Sequence, residues 1–535
     1  MASTKESLPW QTLASTHRDR AFANIPKEWH LSPEILSAIS PDARISVAHI
    51  PAQSKILSPR ELEITETLDA TALLQKIGAA EYSAAEVCTA FCKRAAVAQQ
   101  LTHCLTEIFF EAAQERAKFL DEYLKKNGRP LGPLHGLPIS LKDSLNVTGE
   151  YSTIGYVSFI SHGPAKKNSP LVDILLSLGA VLYVKTNLPQ SCMTADSHNN
   201  IFDRTLNPNN LALTAGGSSG GEGALIALRG SLLGVGTDIA GSIRIPSICC
   251  GTYGFRPSAS RIPMGGQAIP ARPGVPCFLP VTGPLAASAR DLRLFMESVI
   301  RADPWKSDHN CLPIKWNVPE EQKKLRIGLI LEDPLRACEP EVLHTLQSAA
   351  QRLTSAGHEV IPVTKFPSIV GAEKLALSYF ALDNEHYPIY HATKAGEPLI
   401  PSLTAAIEAG FGYEKKTMTL EDLVQMNVEK EELIENWNEV FERDSFDVLL
   451  TPGAPHQAVP HDTYLRTTYT IVWNLVDNPA CIIPIATPTE NGHDATEDLH
   501  EGTVKHTVQV VGRNLQDEAL LHCVERISVA LNYST

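Results

Sequence analysis

Sixty acidic against 46 basic side chains give this 535-residue chain a net charge of −14, spread along the sequence, so no basic stripe offers a footprint for a phosphate backbone and nucleic acid is excluded as a partner. The length admits one large catalytic domain or two to three ordinary ones. No run of about 18 apolar residues occurs, which excludes a membrane span, and residues 1–26 mix charges with isolated apolar side chains, unlike a signal peptide.

The eleven cysteines sit mostly in apolar segments and include no C-x-x-C pair, so they read as buried thiols of a reducing, cytoplasmic setting rather than as zinc ligands or disulfides. Residues 1–60 carry several prolines and little periodicity, with short helical stretches at 10–22 and 33–38; they read as an arm packed on a larger body over 61–535. From Leu68 the pattern sharpens. Ala70, Leu73, Leu74 and Ile77 recur at helical spacing, Ser83 with Glu86 has the form of a capping box, and a helix over 108–126 stops at Gly128. A helix at 171–178 closed by Gly179 is followed by a buried strand at 181–185, and the same order recurs as strand 325–331, helix 341–355 ended by Gly357, and strand 359–363. Repeated β-α-β order predicts an α/β fold, a mixed sheet with helices on both faces. The charged stretch 408–442 predicts a solvated helix face. Residues 487–504 predict an exposed loop before a strand at 506–511.

Residues 214–258 are the most unusual. Glycine and serine dominate two short loops, separated by a helix expected at 223–228 and a strand expected at 232–236. Glycine lets backbone N–H groups approach a ligand closely, and serine offers a nucleophile or a proton relay. The intervening helix and strand would bring Ser218 and Ser242 to the same edge of the sheet. A phosphate cradle fails, because neither loop ends in Gly-Lys and Ile239 stands where a dinucleotide fingerprint needs its last glycine. The stretch 216–220 formally matches the G-x-S-x-G elbow, with Ser218 as nucleophile, but the polar lead-in at 207–214 is not the hydrophobic strand that an elbow requires.

GGSSGG at 216–221 followed by GTDIAGSIRIP at 236–246 resembles the amidase signature family. The segment LGPLHGLPISLKDS at 131–144 resembles the family stretch that carries the catalytic lysine, and YTIVWNLVDNPACIIP at 469–484 resembles its C-terminal segment that closes over substrate. The resemblance spans roughly residues 68–535 and implies a large single domain that hydrolyses carboxylic amides without metal or cofactor. It implies a Ser-Ser-Lys triad. Lys142, desolvated and neutral, deprotonates Ser218, which relays to the nucleophile Ser242. It also implies a cis peptide between Gly217 and Ser218, and an oxyanion hole from the N–H groups of Ile239, Ala240, Gly241 and Ser242. Supporting roles fall on Ser219, which orients Ser218, and on Arg244, which holds the loop; Cys192 is placed near the acyl group. At Ala240 this sequence departs from the family's glycine, and a methyl group there is expected to alter substrate fit if the backbone needs positive φ.

The partner implied is a small-molecule amide. The layout is nearer to fungal acetamidases and general amidases than to the glutamyl-tRNA amidotransferase subunit, with fatty-acid amides and a pathway-specific metabolite amide as alternatives. An esterase and a catalytically silent scaffold of the same fold are the readings from other classes. No residue pattern selects an oligomeric state, and a homodimer is compatible with the sequence.

Overall fold

The computed structural model describes residues 9–319, 324–410, 417–486 and 504–532. All but the last residue of the loop expected at 487–504 lies outside them.

Strands β1 Leu105–Ile108, β2 Pro138–Lys142 and β3 Val181–Thr186 come first, then a small hairpin of β4 His198–Asn199 and β5 Asp203–Arg204. β6 Leu233–Asp238, β7 Tyr253–Arg256 and β8 Val281–Ala286 follow, and then β9 Arg326–Leu329, β10 Glu359–Pro362, β11 Val448–Thr451, β12 Ala480–Ile485 and β13 His506–Val511. All except the hairpin join one eleven-stranded sheet in the order β1-β3-β2-β6-β8-β7-β12-β13-β11-β9-β10. The sheet is mixed: β2 runs parallel to β3 and β6, whereas β8 is antiparallel to β6 and β7, and β12 is antiparallel to β7 and β13. Strands β1, β2, β3, β8 and β11 are buried along their whole length, the burial expected when helices cover both faces. One continuous apolar core runs from Ile25 to Leu531.

Local signals set the helix ends. Asp69 caps Ala70–Gly78 through the amide of Ala72, and Gly128, with φ 64°, ends Phe110–Asn127. The helix read as beginning at 108 starts two residues later, because Ile108 closes β1 against Val184. The box expected at Ser83 forms only by half. Ser83 Oγ accepts from the Glu86 amide, but the Glu86 carboxylate turns to Arg60 at 3.0 Å. Complete boxes occur instead at Ser58 with Glu61 and at Thr419 with Asp422. Of the charged segment 408–442, residues 420–442 lie in the helix Leu420–Arg443, Glu408 ends the helix Pro401–Glu408, and 411–416 lie outside the described residues.

The N-terminal helix Trp10–Phe22 packs beside β1, where Glu107 is buried and accepts hydrogen bonds from His17 at 3.0 Å and Arg20 at 2.5 Å. No helix of the described residues is long and apolar enough to cross a membrane.

Candidate active site

Lys142 ends β2, flanked by β3 and β6, and its side chain is fully buried. Its Nζ donates to Ser218 Oγ at 2.7 Å and to Thr237 Oγ1 at 2.8 Å, and it forms no ion pair among the described residues. Burial lowers the ammonium pKa, and the more distant Cys192, Asp238, Glu222 and Asp143 only partly oppose that shift. The result is a lysine disposed to be a neutral amine, aimed at a hydroxyl.

The first Gly-Ser loop must thread a tight passage. A Cβ on Gly217 would lie 2.5 Å from Thr194 O, and the Gly217–Ser218 peptide is cis, as the resemblance implied. The helix Gly220–Ala227 follows directly, three residues earlier than expected, and leads into β6. β6 then delivers the second loop, and the Ser219 amide donates to Ser242 O at 3.0 Å, tying the two loops together. The segment before Gly216 forms no strand leading into Ser218, and the nitrogen beside Ser218 belongs to Lys142 rather than to a histidine. Both features differ from a hydrolase elbow.

Asp238, at the end of β6, shapes the second loop. It accepts from the Gly241 amide at 2.8 Å, the Ile243 amide at 3.2 Å, Asn474 at 2.8 Å, and Arg244 at 3.0 and 3.1 Å. Burial alone would raise its pKa, but the Arg244 charge and hydrogen bonds outweigh it and hold the carboxyl at about 2. Arg244 also reaches Asn474 at 2.6 Å and Gln509 at 2.9 Å, so it fastens the loop to the helix Thr468–Leu475 and to β13 and does not face the cavities.

This geometry changes one expectation. The Gly241 N–H is taken by Asp238, so the backbone donors left for an oxyanion are those of Ile239, Ala240 and Ser242, which make no hydrogen bond among the described residues. The positive φ of the loop, 119°, falls on Gly241, where a Cβ would meet Thr470 Oγ1 at 2.3 Å. Ala240 has no positive φ, so its methyl costs the backbone nothing; Thr470 Oγ1 donates to its carbonyl at 2.7 Å. Ser219 contacts Thr237 through its hydroxyl and Ser242 through its amide, so it steadies the second loop rather than Ser218 itself.

Ser242 is 9% exposed, and its hydroxyl makes no hydrogen bond among the described residues. It borders two cavities, one of about 30 Å³ and one of about 350 Å³, that share Cys192, Met193, Ile239 and Phe380. Cys192 therefore lines both cavities with Ser242; burial pushes its thiol up to about 11, which keeps it un-ionised. Thr237, Asp238, Asn474 and Gln509 were not singled out from the sequence. Thr237 and Asp238 lay inside the quoted GTD motif and Asn474 inside the quoted segment 469–484, whereas Gln509 carries no local signal.

The family model described as Amidase matches residues 86–521. The chain is 41% identical to an "Amidase" of Gibberella moniliformis, covering 98% of this chain and 99% of that protein. It is 36% identical to an "Acetamidase" of Emericella nidulans, covering 98% of each. Among solved structures, a "Fatty acid amide hydrolase" superposes with a TM-score of 0.89 at 31% identity, covering 99% of this chain and 95% of that one.

Proposed function

This chain belongs to the Amidase family, hydrolases acting on amide C–N bonds, and on that premise we propose that it cleaves small-molecule carboxylic amides through an acyl-Ser242 intermediate. The observation that carries the reading is the 2.7 Å hydrogen bond from a buried, carboxylate-free Lys142 to Ser218, beside the cavity that Ser242 borders. The Ser242 proton passes to Ser218, whose own proton passes to neutral Lys142, and Ser242 Oγ bonds to the carbonyl carbon. The oxyanion that forms faces the free N–H groups of Ile239, Ala240 and Ser242. As the C–N bond breaks, Ser218 returns a proton to the leaving nitrogen and is recharged by Lys142. Water then hydrolyses the ester along the same relay. The Ser218-to-Ser242 hydrogen bond belongs to the substrate complex, since such bonds tighten only when the site is filled.

Residues 1–60 act as an arm on a catalytic domain over 61–535, a division supported by the hydrogen bond of His17 and the ion pair of Arg20 with Glu107. Eleven free cysteines, nine of them buried, support a reducing cytoplasmic setting.

The test is release of ammonia or amine from a panel of amides by the wild type and by Ser242→Ala and Lys142→Ala. Loss of about four orders of magnitude or more in both variants is expected. An active Ser242→Ala enzyme would remove Ser242 from the mechanism.

A further inference from the structure

The two cavities at Ser242 are not equivalent. Ser218, the hydroxyl that hands the proton to the leaving nitrogen, lines the large cavity and not the small one. Ala195, Ile245, Ala406 and Leu465 line the small one and not the large. In a tetrahedral intermediate on Ser242, the oxygen turns to the backbone N–H groups, and the nitrogen must lie within reach of Ser218. The nitrogen and its substituent are therefore directed into the large cavity, and the acyl substituent is left with the small one.

Size and chemistry then separate the two halves of the substrate. A cavity of about 30 Å³ is roughly two to three times the minimum that admits one water, which suits a short acyl substituent such as a methyl or ethyl group. Its walls are mostly small or aliphatic. The large cavity, about 350 Å³, is of the size that takes a drug-like fragment. Phe278 there packs edge-on to Tyr379 at 6.0 Å and tilted to Phe380 at 5.4 Å between ring centroids, a surface that favours a flat aromatic group.

We propose that the substrates are N-substituted amides with a short acyl group and a bulky apolar, aromatic amine: N-aryl acetamides and propionamides rather than long-chain primary amides. This allocation rests on the Ser218–Ser242 reading above.

The experiment compares acetanilide, hexananilide, acetamide and hexanamide by amine or ammonia release with the full-length enzyme, alongside labelling of Ser242 by a fluorophosphonate. Acetanilide is expected to have the highest kcat/KM, with hexananilide lower by about a hundredfold because its chain overfills the small cavity. Ala406→Leu should lower turnover of propionanilide more than that of formanilide, and Phe278→Ala should raise KM for acetanilide with little change for acetamide. Preference for hexanamide over acetanilide, or equal rates along the acyl series, with Ser242 labelled, would overturn the allocation alone. No turnover of any amide with Ser242 unlabelled would overturn the acyl-serine reading as well.

Discussion

Glu222 offers a quantitative test of the packing behind Lys142. It lies in the first turn of the helix Gly220–Ala227, fully buried, and accepts from Ser140 Oγ at 2.6 Å and Thr186 Oγ1 at 2.9 Å, with no ion pair among the described residues. Burial, only partly offset by those two hydroxyls and Lys142, pushes its carboxyl from an ordinary 4.5 up to about 7. A carboxyl with a raised folded-state pKa contributes stability that is complete below about 4.5 and is lost as pH rises through about 7. A rise from 4.5 to about 7, at about 1.4 kcal/mol per pH unit, amounts to about 3.5 kcal/mol. Unfolding entropy of about 2.1 cal/mol/K per residue gives a chain of this length about 1.1 kcal/mol per degree, so the effect is about 3 °C in Tm. Glu222→Gln keeps the volume and removes the charge. Its Tm, followed by calorimetry between about pH 5 and pH 8, should fall by about 2–3 °C less than that of the wild type. Parallel curves would refute the reasoning, since they would mean that Glu222 loses its proton equally easily in the folded and unfolded chains.

Three further outcomes follow from the site. On the proposed mechanism Lys142 is the base, and burial lowers its pKa below 10.5, so kcat/KM should rise with pH through that pKa and the residual activity of Lys142→Ala should lack the same limb; an unchanged profile would assign the limb to another group. Arg244→Met leaves the ionised Asp238 buried without its cation and should cost about 3–5 kcal/mol, with part of the Tm recovered in the double variant Arg244→Met/Asp238→Asn, which removes the charge and keeps an acceptor for the Gly241 amide. Gly241→Ala places a Cβ 2.3 Å from Thr470 Oγ1 at a φ of 119°; it should destabilise by about 2 kcal/mol or more and lower kcat about tenfold or more, whereas Ala240→Gly should change stability by no more than about 1 kcal/mol.

The chemistry was legible in the sequence because it is concentrated in local pattern. The two loops at 216–221 and 236–246 declare themselves by glycine and serine content, and Lys142 by the segment around it. Helices with apolar spacing and a cap or a following glycine, such as Ala70–Gly78 behind Asp69 and Pro340–Ser355 before Gly357, were equally readable. Strands β7, β8, β11 and β12 were not, since four to six residues are too few for a periodicity that separates strand from buried helix, and glycine and proline interrupt β8. The half-formed box at Ser83 shows the same limit from another side: Glu86 satisfies the local rule, but an arginine 26 positions away outbids it.

What the sequence by itself determined was the family, the candidate groups for the site and the grammar of an α/β sheet. The tertiary structure decided which of those groups meet. It set the strand order, put Thr237 beside Lys142, turned the Gly241 amide toward Asp238, joined Arg244 to Asn474 and Gln509, and left one narrow and one wide cavity on either side of Ser242. Each of these depends on side chains up to 265 positions apart being packed into one interior, and such contacts follow from how whole elements fill space together rather than from any residue's neighbours in the chain.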